Sequence, residues 1–212
     1  MKNGSIIGLT GQTGAGKTTV ARLFSEYGYP VVDADKTARM VTEKGSPVLE
    51  TLAEPFGREI LFPDGTLNRP ELAKRAFADR THTEALDRIT HPAIVALMRK
   101  QAQEAFASGA EAVVFDASQL FESGLERECA AVVSVVAPET LRRQRIMERD
   151  GISREAADAR MGAQHDQTFF REHSDFLVEN AGSPEELREA VQETVRQLRQ
   201  KLVTGGDKLE QQ

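Results

Sequence analysis

A glycine-rich segment near the start of the chain has the residue types and spacing of a phosphate-binding loop. It reads Gly11, Gln12, Thr13, Gly14, Ala15, Gly16, Lys17, Thr18, which fits the pattern G-x-x-x-x-G-K-[ST]. The glycines allow the backbone to wrap around an anion, so that several N–H groups point at the same phosphates. Lys17 can reach the β- and γ-phosphates, and the Thr18 hydroxyl can ligate Mg²⁺. The segment therefore predicts binding of a nucleoside triphosphate.

Two carboxylates follow predicted strands and could act beside such a phosphate. Asp33 ends the short apolar run 30–33, and Asp116 ends the run 111–116. A carboxylate near a γ-phosphate can accept the proton of an attacking hydroxyl or hold the metal. Alternatively, Asp33 or Asp35 caps the following helix, and of the two we expect Asp35 to be the cap. Asp116 is either part of the Mg²⁺ shell or an ordinary strand-end turn residue.

An arginine cluster supplies positive charge. Arg142, Arg145 and Arg149 recur at helical spacing, so that one helix face presents all three. Guanidinium groups match phosphate oxygens and stabilise the charge on a phosphoryl group in transfer. The alternative is a solvated face paired with Glu148 and Asp150. Beside a phosphate loop we prefer a functional role for at least one arginine.

The histidines and the cysteine show no spacing typical of a metal site. His82, His91, His165 and His173 lack zinc-like spacing, and Cys129 is the only cysteine. We therefore predict no structural metal, and the residues alone favour His91 as a local hydrogen-bonding group. Cys129 lies beside an apolar run and is expected to be a buried structural thiol.

The elements that must position these residues alternate between strand and helix. Apolar runs predict strands at 5–10, 30–33, 111–116, 130–137 and 176–178. Helices are expected after the phosphate loop, at 48–57, at 69–78, after Pro138, and after a capping box at Ser183. A helical stretch at 81–107 contains Pro92, which predicts a kink or two helices. Residues 204–212 are expected to be frayed. This alternation predicts an α/β domain with a mostly parallel five-stranded sheet covered on both faces.

Composition narrows the class of protein. The 212 residues carry a net charge of −6 without a basic block, which argues against a nucleic-acid partner. No signal peptide or apolar run of transmembrane length is visible, and a single cysteine fits a reducing cytoplasm. We expect a cytoplasmic protein without a membrane partner.

The ordered residues resemble the dephospho-CoA kinase family over nearly the whole chain. Beyond the loop, the shared residues are Val32 to Asp35, Ala38-Arg39, Gly65 to Arg69, Thr90-His91-Pro92, Phe115-Asp116, Leu120 to Glu122, Arg145, Arg149 to Gly151, Gln164, Asp175 and Asn180 to Ser183. The chain has Ser118 and Gln119 where the family usually has proline and leucine. The resemblance implies a P-loop NTPase fold, a three-layer αβα arrangement like that of nucleoside monophosphate kinases.

The resemblance also implies a reaction and a set of site residues. The reaction is phosphorylation of the ribose 3′-hydroxyl of dephospho-CoA by ATP with Mg²⁺, giving CoA and ADP as the final step of coenzyme A biosynthesis. It assigns catalysis to Asp33, Lys17 and Arg145, and metal binding to Thr18 and Asp116. It assigns ATP binding to residues 11–19 (Gly11 to Thr19) and Asn180. It assigns acceptor binding to Asp33, Arg39, His91, Leu120 and Glu122.

Domain organisation is expected to follow the same family. A single kinase domain over 1–203 would have its core at 1–61, 111–138 and 166–203. A helical insertion at about 62–110 would serve the CoA side, and a lid at about 139–165 would carry the arginines. With no long apolar seam in the sequence, we expect a monomer.

Two rival functions stay open at this point. One is a small-molecule kinase for another acceptor, such as a nucleotide, a nucleoside or a sugar acid. The other is a nucleotide-dependent switch without a small acceptor. A switch GTPase would need a guanine-reading N-K-x-D segment, and the sequence contains none.

Overall fold

The protein contains a five-stranded sheet in a computed structural model that describes residues 4–206. The strands are β1 (Ser5–Gly11), β2 (Val31–Asp33), β3 (Ala112–Asp116), β4 (Ala131–Val136) and β5 (Phe176–Glu179). Their spatial order is β2-β3-β1-β4-β5. β1 pairs in parallel with β3 and β4, and β4 pairs in parallel with β5. The predicted α/β class with a mostly parallel sheet is confirmed.

The helices connect these strands and match most of the predicted positions. They are α1 (Lys17–Glu26), α2 (Ala34–Met40), α3 (Pro47–Phe56), α4 (Arg69–Ala76), α5 (Arg80–Ala107), α6 (Glu139–Asp150), α7 (Arg154–Gly162), α8 (Gln167–His173) and α9 (Pro184–Gly206). Short 3-10 helices lie at Arg58–Ile60 and Leu125–Glu128. Within the described residues no helix has the length and apolar character that crossing a membrane requires.

The stretch predicted as either one kinked helix or two helices forms the single helix α5. It runs as one helix through Pro92, so the two-helix alternative is wrong. Proline removes a single N–H from the helix ladder, and the other hydrogen bonds of a 28-residue helix maintain its course. At the other end of the chain α9 reaches Gly206, within the stretch 204–212 that was expected to be frayed. Residues 207–212 lie outside the described residues.

Alternation along the strands builds the main core. Ile7 and Leu9 of β1 pack with Val133 and Val135 of β4 in a cluster that includes residues of α1 and α9. Gly8 points to the opposite face, where the side chains of Leu120 and Cys129 lie against it. The α9 capping box forms as predicted, since Ser183 N–H donates to Glu186 Oε2 at 2.7 Å and Glu186 N–H donates to Ser183 Oγ at 3.2 Å.

The chain divides into two compact units. The first contains the described residues up to Val32 and those from Ala105 onward, and the second is Asp33–Glu104. The second unit has its own apolar cluster, which includes Leu52, Phe56 and Ile60. Within the first unit, α6 and α7 share a small separate cluster built on Ile146, Ala157 and Met161.

Candidate active site

The loop between β1 and α1 owes its shape to glycines with left-handed backbone angles. Gly14 has a φ of 77° and Gly16 a φ of 95°. Gly16 is the N-cap of α1, and Lys17 is the first helical residue. The N–H groups of the first turn of a helix have no acceptor within the helix, so they form a positive end that suits an anion.

Neighbouring groups lie so close to the loop glycines that a side chain would not fit. A Cβ on Gly14 would lie 2.7 Å from the Arg142 carbonyl oxygen, and a Cβ on Gly16 would lie 2.3 Å from Asn180 Nδ2. At Gly11 it would lie 2.3 Å from the Val135 carbonyl oxygen. The loop is therefore enclosed by β4, α6 and the residue that follows β5.

Side chains distant in sequence hold the loop by hydrogen bonds. Asn180 Nδ2 donates to the Ala15 carbonyl at 2.8 Å. Gln164 Oε1 accepts the Thr13 N–H at 2.6 Å. Gln12, which is 3% exposed, also lies inside this arrangement and donates its own N–H to the Val135 carbonyl at 3.2 Å.

Lys17 and Asp116 form an ion pair at the same site. Asp116 is the last residue of β3, opposite Leu9 of β1, and is 7% exposed. Its Oδ1 accepts from Lys17 Nζ. Thr18 and Thr19 follow in α1 with exposed side chains. A buried carboxylate keeps its charge at low cost only when it is paired, and Lys17 supplies the pairing charge here.

Divalent metal would find few protein ligands among the described residues. No group of three or more histidine, cysteine, aspartate or glutamate side chains there could hold a metal ion. The exposed Thr18 hydroxyl and the Asp116 carboxylate are the oxygen donors next to the loop. This donor set fits a Mg²⁺ ion that takes its remaining ligands from phosphates and water.

The arginines of α6 separate into two groups. Arg142 Nη1 lies 3.5 Å from the Thr13 carbonyl, and Arg145 Nη1 lies 3.4 Å from the Gly14 carbonyl. Arg142 is buried, which lowers the pKa of its guanidinium. Arg149 instead pairs with both carboxylate oxygens of Asp150 at 2.8 Å. This hydrogen bonding lowers the pKa of Asp150. The structure thus brings two of the three expected arginines to the loop and leaves the third with its neighbour.

Asp33 in the second unit is the N-cap of α2. Its Oδ1 accepts the Lys36 N–H at 3.0 Å, while Lys36 Nζ lies 3.6 Å from Oδ2. The expectation that Asp35 is the cap is therefore wrong. The reason is that α2 begins at Ala34, directly after β2, so the last strand residue occupies the cap position. Asp35 lies in the first turn with an exposed side chain.

Arg39 and His91 also lie in the second unit, where Arg39 is exposed and His91 is half-buried. Arg39 is in the last turn of α2, and its carbonyl accepts from Arg69 Nη2 at 3.4 Å. His91 Nε2 lies 3.7 Å from Asp87 Oδ1, one helical turn earlier in α5. Both side chains therefore present polar atoms to solvent.

Leu120 and Glu122, expected to contact the acceptor, have different environments. Leu120 is fully buried against Gly8, so it offers no surface to a ligand in this structure. Glu122 is exposed, and its Oε1 lies 3.6 Å from His165 Nε2. His165 stacks on Phe169 with 3.6 Å between ring centroids. Ser118, where the family usually has proline, accepts the Thr10 hydroxyl through its carbonyl at 3.4 Å, a contact that does not depend on its side chain.

Comparison with known proteins identifies the family. The family model described as dephospho-CoA kinase matches residues 5–186. The chain belongs to the dephospho-CoA kinase family. A dephospho-CoA kinase of Anaeromyxobacter dehalogenans is 45% identical over 182 residues, which are 86% of each chain. A dephospho-CoA kinase structure from Campylobacter jejuni is 26% identical with a TM-score of 0.69, covering 91% of this chain and 96% of its own. A crystal structure from Thermus thermophilus is 34% identical with a TM-score of 0.77, covering 93% and 99%.

In this member of the dephospho-CoA kinase family, Gln164 has a structural role that the sequence did not predict. Gln164 was a shared family residue without an assigned function, and its side chain hydrogen-bonds the phosphate loop. The two partners are 151 positions apart in the sequence. No spacing rule connects residues so distant, and only the fold makes them neighbours.

Proposed function

We propose that the protein transfers the γ-phosphoryl group of ATP to the ribose 3′-hydroxyl of dephospho-CoA, giving CoA and ADP. The observation that carries this proposal is the enclosed phosphate loop with its Lys17–Asp116 pair in a chain of this family. Phosphoryl transfer asks mainly for positioning and charge neutralisation, and the loop with Lys17 supplies both. Residues 11–19 hold the polyphosphate, with Arg145 beside them as the arginine that meets the transferred group.

Asp33 is the general base in this proposal. It takes the proton of the 3′-hydroxyl as that oxygen bonds to the γ-phosphorus, and the bond to the bridging β–γ oxygen breaks to release ADP. Capping helps this role, because the Lys36 N–H on Oδ1 and the Lys36 ammonium 3.6 Å from Oδ2 fix the orientation of the carboxylate. Ligands of parallel α/β sheets bind at the carboxyl ends of strands, and Asp33 is the last residue of β2.

Mg²⁺ is proposed as the metal, held by Thr18 with Asp116 in its surroundings. When bound, it neutralises charge on the β- and γ-phosphate oxygens. Asp116 pairs with Lys17 in this structure, and Thr18 and Asp116 would together hold the metal beside the loop.

Acceptor binding is proposed for Arg39, His91, Leu120 and Glu122, and the helical insertion at about 62–110 is proposed to serve the CoA side. The α6–α7 pair is the proposed lid at about 139–165. Its own small apolar cluster lets it move as one piece. A closed lid keeps water from the γ-phosphate and prevents wasteful hydrolysis.

We also propose a cytoplasmic monomer without a nucleic-acid partner. The large apolar side chains exposed within the described residues, Met40, Phe62, Phe77 and Val203, are far apart in the sequence. The net charge of −6 disfavours binding to nucleic acid. Cys129 remains a thiol, as in reducing compartments. Sedimentation of the purified protein tests the monomer, and a dimer at micromolar concentration would contradict it.

An acceptor panel tests the reaction itself. Purified protein with ATP and Mg²⁺ is offered dephospho-CoA, AMP, adenosine or a sugar acid, and ADP release is coupled to NADH oxidation. Dephospho-CoA is expected to give the highest kcat/KM. ³¹P NMR of the product is expected to show a phosphate monoester at the ribose 3′ position. Preference for another acceptor would contradict dephospho-CoA as the substrate. It would leave the proposed binding of ATP at the phosphate loop unchanged.

A further inference from the structure

Asn180 forms hydrogen bonds both to β4 and to the phosphate loop. Its backbone N–H donates to the Val136 carbonyl at 2.8 Å, which continues the β4–β5 ladder by one residue. Its side-chain Nδ2 donates to the Ala15 carbonyl, and its Oδ1 lies 3.5 Å from Arg145 Nη2. Arginine can only donate and a carbonyl can only accept, so the partners fix the orientation of the amide.

The Ala15 carbonyl matters because of what lies at the other end of its peptide bond. In a trans peptide the C=O and the following N–H point in opposite directions. Since Asn180 holds the Ala15 oxygen on its own side, the Gly16 N–H points away from Asn180. That N–H donates to no residue within 4–206, and it stands at the N-terminus of α1, ahead of Lys17.

We propose that Asn180 is a positioning residue that acts through the loop rather than by touching the nucleotide. It holds the peptide between Ala15 and Gly16 so that its N–H faces the phosphates and its carbonyl dipole faces away from them. This deepens, and rests on, the proposed binding of ATP at the loop.

Burial and packing support this role over a direct contact with the nucleotide. Asn180 is 8% exposed, and both polar atoms of its side chain are engaged by protein groups. Its amide nitrogen lies where a Cβ on Gly16 would be, which explains why the loop needs glycine there.

Binding of a phosphate chain without a base distinguishes the two roles. Isothermal titration with tripolyphosphate and with ATP, both with Mg²⁺, compares wild type with Asn180→Ala. Because a neutral hydrogen bond is lost, both ligands are expected to bind about three- to tenfold more weakly, and by the same factor. Weaker ATP binding with unchanged tripolyphosphate binding would assign Asn180 to the base, and no change in either would remove it from the site.

A control and a second variant keep the inference testable. Asn68→Ala removes a comparable side-chain bond to backbone, at the N-cap of α4, and is expected to leave tripolyphosphate affinity unchanged. If Asn180→Ala does not fold, Asn180→Asp keeps the volume and the acceptor for Arg145, loses the donor to Ala15, and adds a negative charge whose effect is separated by salt. Its weaker binding is expected to persist at high salt, whereas a loss that salt abolishes would be a charge effect and would overturn the inference. A wild type that binds ATP but not tripolyphosphate would also overturn it, and a wild type that binds neither would defeat the proposed function itself.

Discussion

The phosphate loop and the start of α2 both carry side chains proposed for the reaction, and they are built in opposite ways. The loop is held by contacts between residues far apart in sequence, such as Gln164 with Thr13 and Asn180 with Ala15. Asp33 at the start of α2 is held by Lys36, three residues further along the chain. The loop residues are also more deeply enclosed, since Gln12 and Asn180 are buried while Asp33 is half-buried.

The difference separates the two substrates of the proposed reaction. The phosphate loop, held by distant contacts, depends on the integrity of the first unit. A base held by its own helix depends on α2 alone. Changes in one region should therefore leave the function of the other intact, and the following predictions test that separation from the largest effect to the smallest.

Asp33→Asn should give the largest effect on turnover. Asparagine caps helices as well as aspartate does, so the free energy of unfolding should change by less than about 0.5 kcal/mol. Loss of a general base should lower kcat by about 10²- to 10⁴-fold, with ATP affinity near that of wild type. Steady-state kinetics and ATP titration measure the two effects. Asp35→Asn, a change at an exposed residue two positions away, is the control and should keep full turnover. Wild-type turnover in Asp33→Asn would contradict the proposal that Asp33 is the general base.

Lys17→Met should damage ATP binding and turnover together, with kcat reduced by about 10²- to 10³-fold. It keeps the hydrocarbon stem but removes the ammonium group, so the ion pair with Asp116 is lost and thermal stability should fall as well. Calorimetric ATP titration and thermal melts are the measurements. Lys100→Met, at an exposed lysine of α5, should change neither. Wild-type ATP affinity in Lys17→Met would contradict the proposal that Lys17 and the phosphate loop bind the phosphates of ATP.

Gly16→Ala should weaken ATP binding by about tenfold or more, because a contact with Asn180 must be relieved at about 1–3 kcal/mol. Gly28→Ala is a matched control. Gly28 has a φ of 89°, close to the 95° of Gly16, but a Cβ there would meet no atom within 4 Å. Both variants should lose stability through backbone strain, and only Gly16→Ala should lose affinity. Equal affinity in the two would mean that strain alone makes glycine necessary at the loop.

Cys129 should affect the enzyme only at alkaline pH. Burial raises the pKa of its thiol to about 12, from about 9 in the unfolded chain. Between these values the unfolded chain releases the proton and the folded protein keeps it, so stability falls as pH rises through this window. Cys129→Ala should show a shallower alkaline decline in thermal stability than wild type. Parallel decline in both would indicate that the thiol is more accessible than the fold implies.

Local patterns predicted most of the architecture, and long-range contacts account for what they missed. Apolar runs located the strands, and the capping box located the start of α9, because each signal spans only a few residues. The cap of α2 was misplaced because no loop separates β2 from α2, a fact that spacing does not reveal. Arg149 shares helical spacing with Arg145 but pairs with Asp150 instead. The roles of Gln164 and Asn180 arise only when the sheet has brought them to the loop.

ATP turnover by the wild-type protein, measured with and without dephospho-CoA, is the decisive measurement of the proposed phosphoryl transfer. We expect ADP to form rapidly only when dephospho-CoA is present, with one CoA made for each ADP. ADP formation at the same rate without the acceptor would contradict it and would favour a nucleotide switch instead.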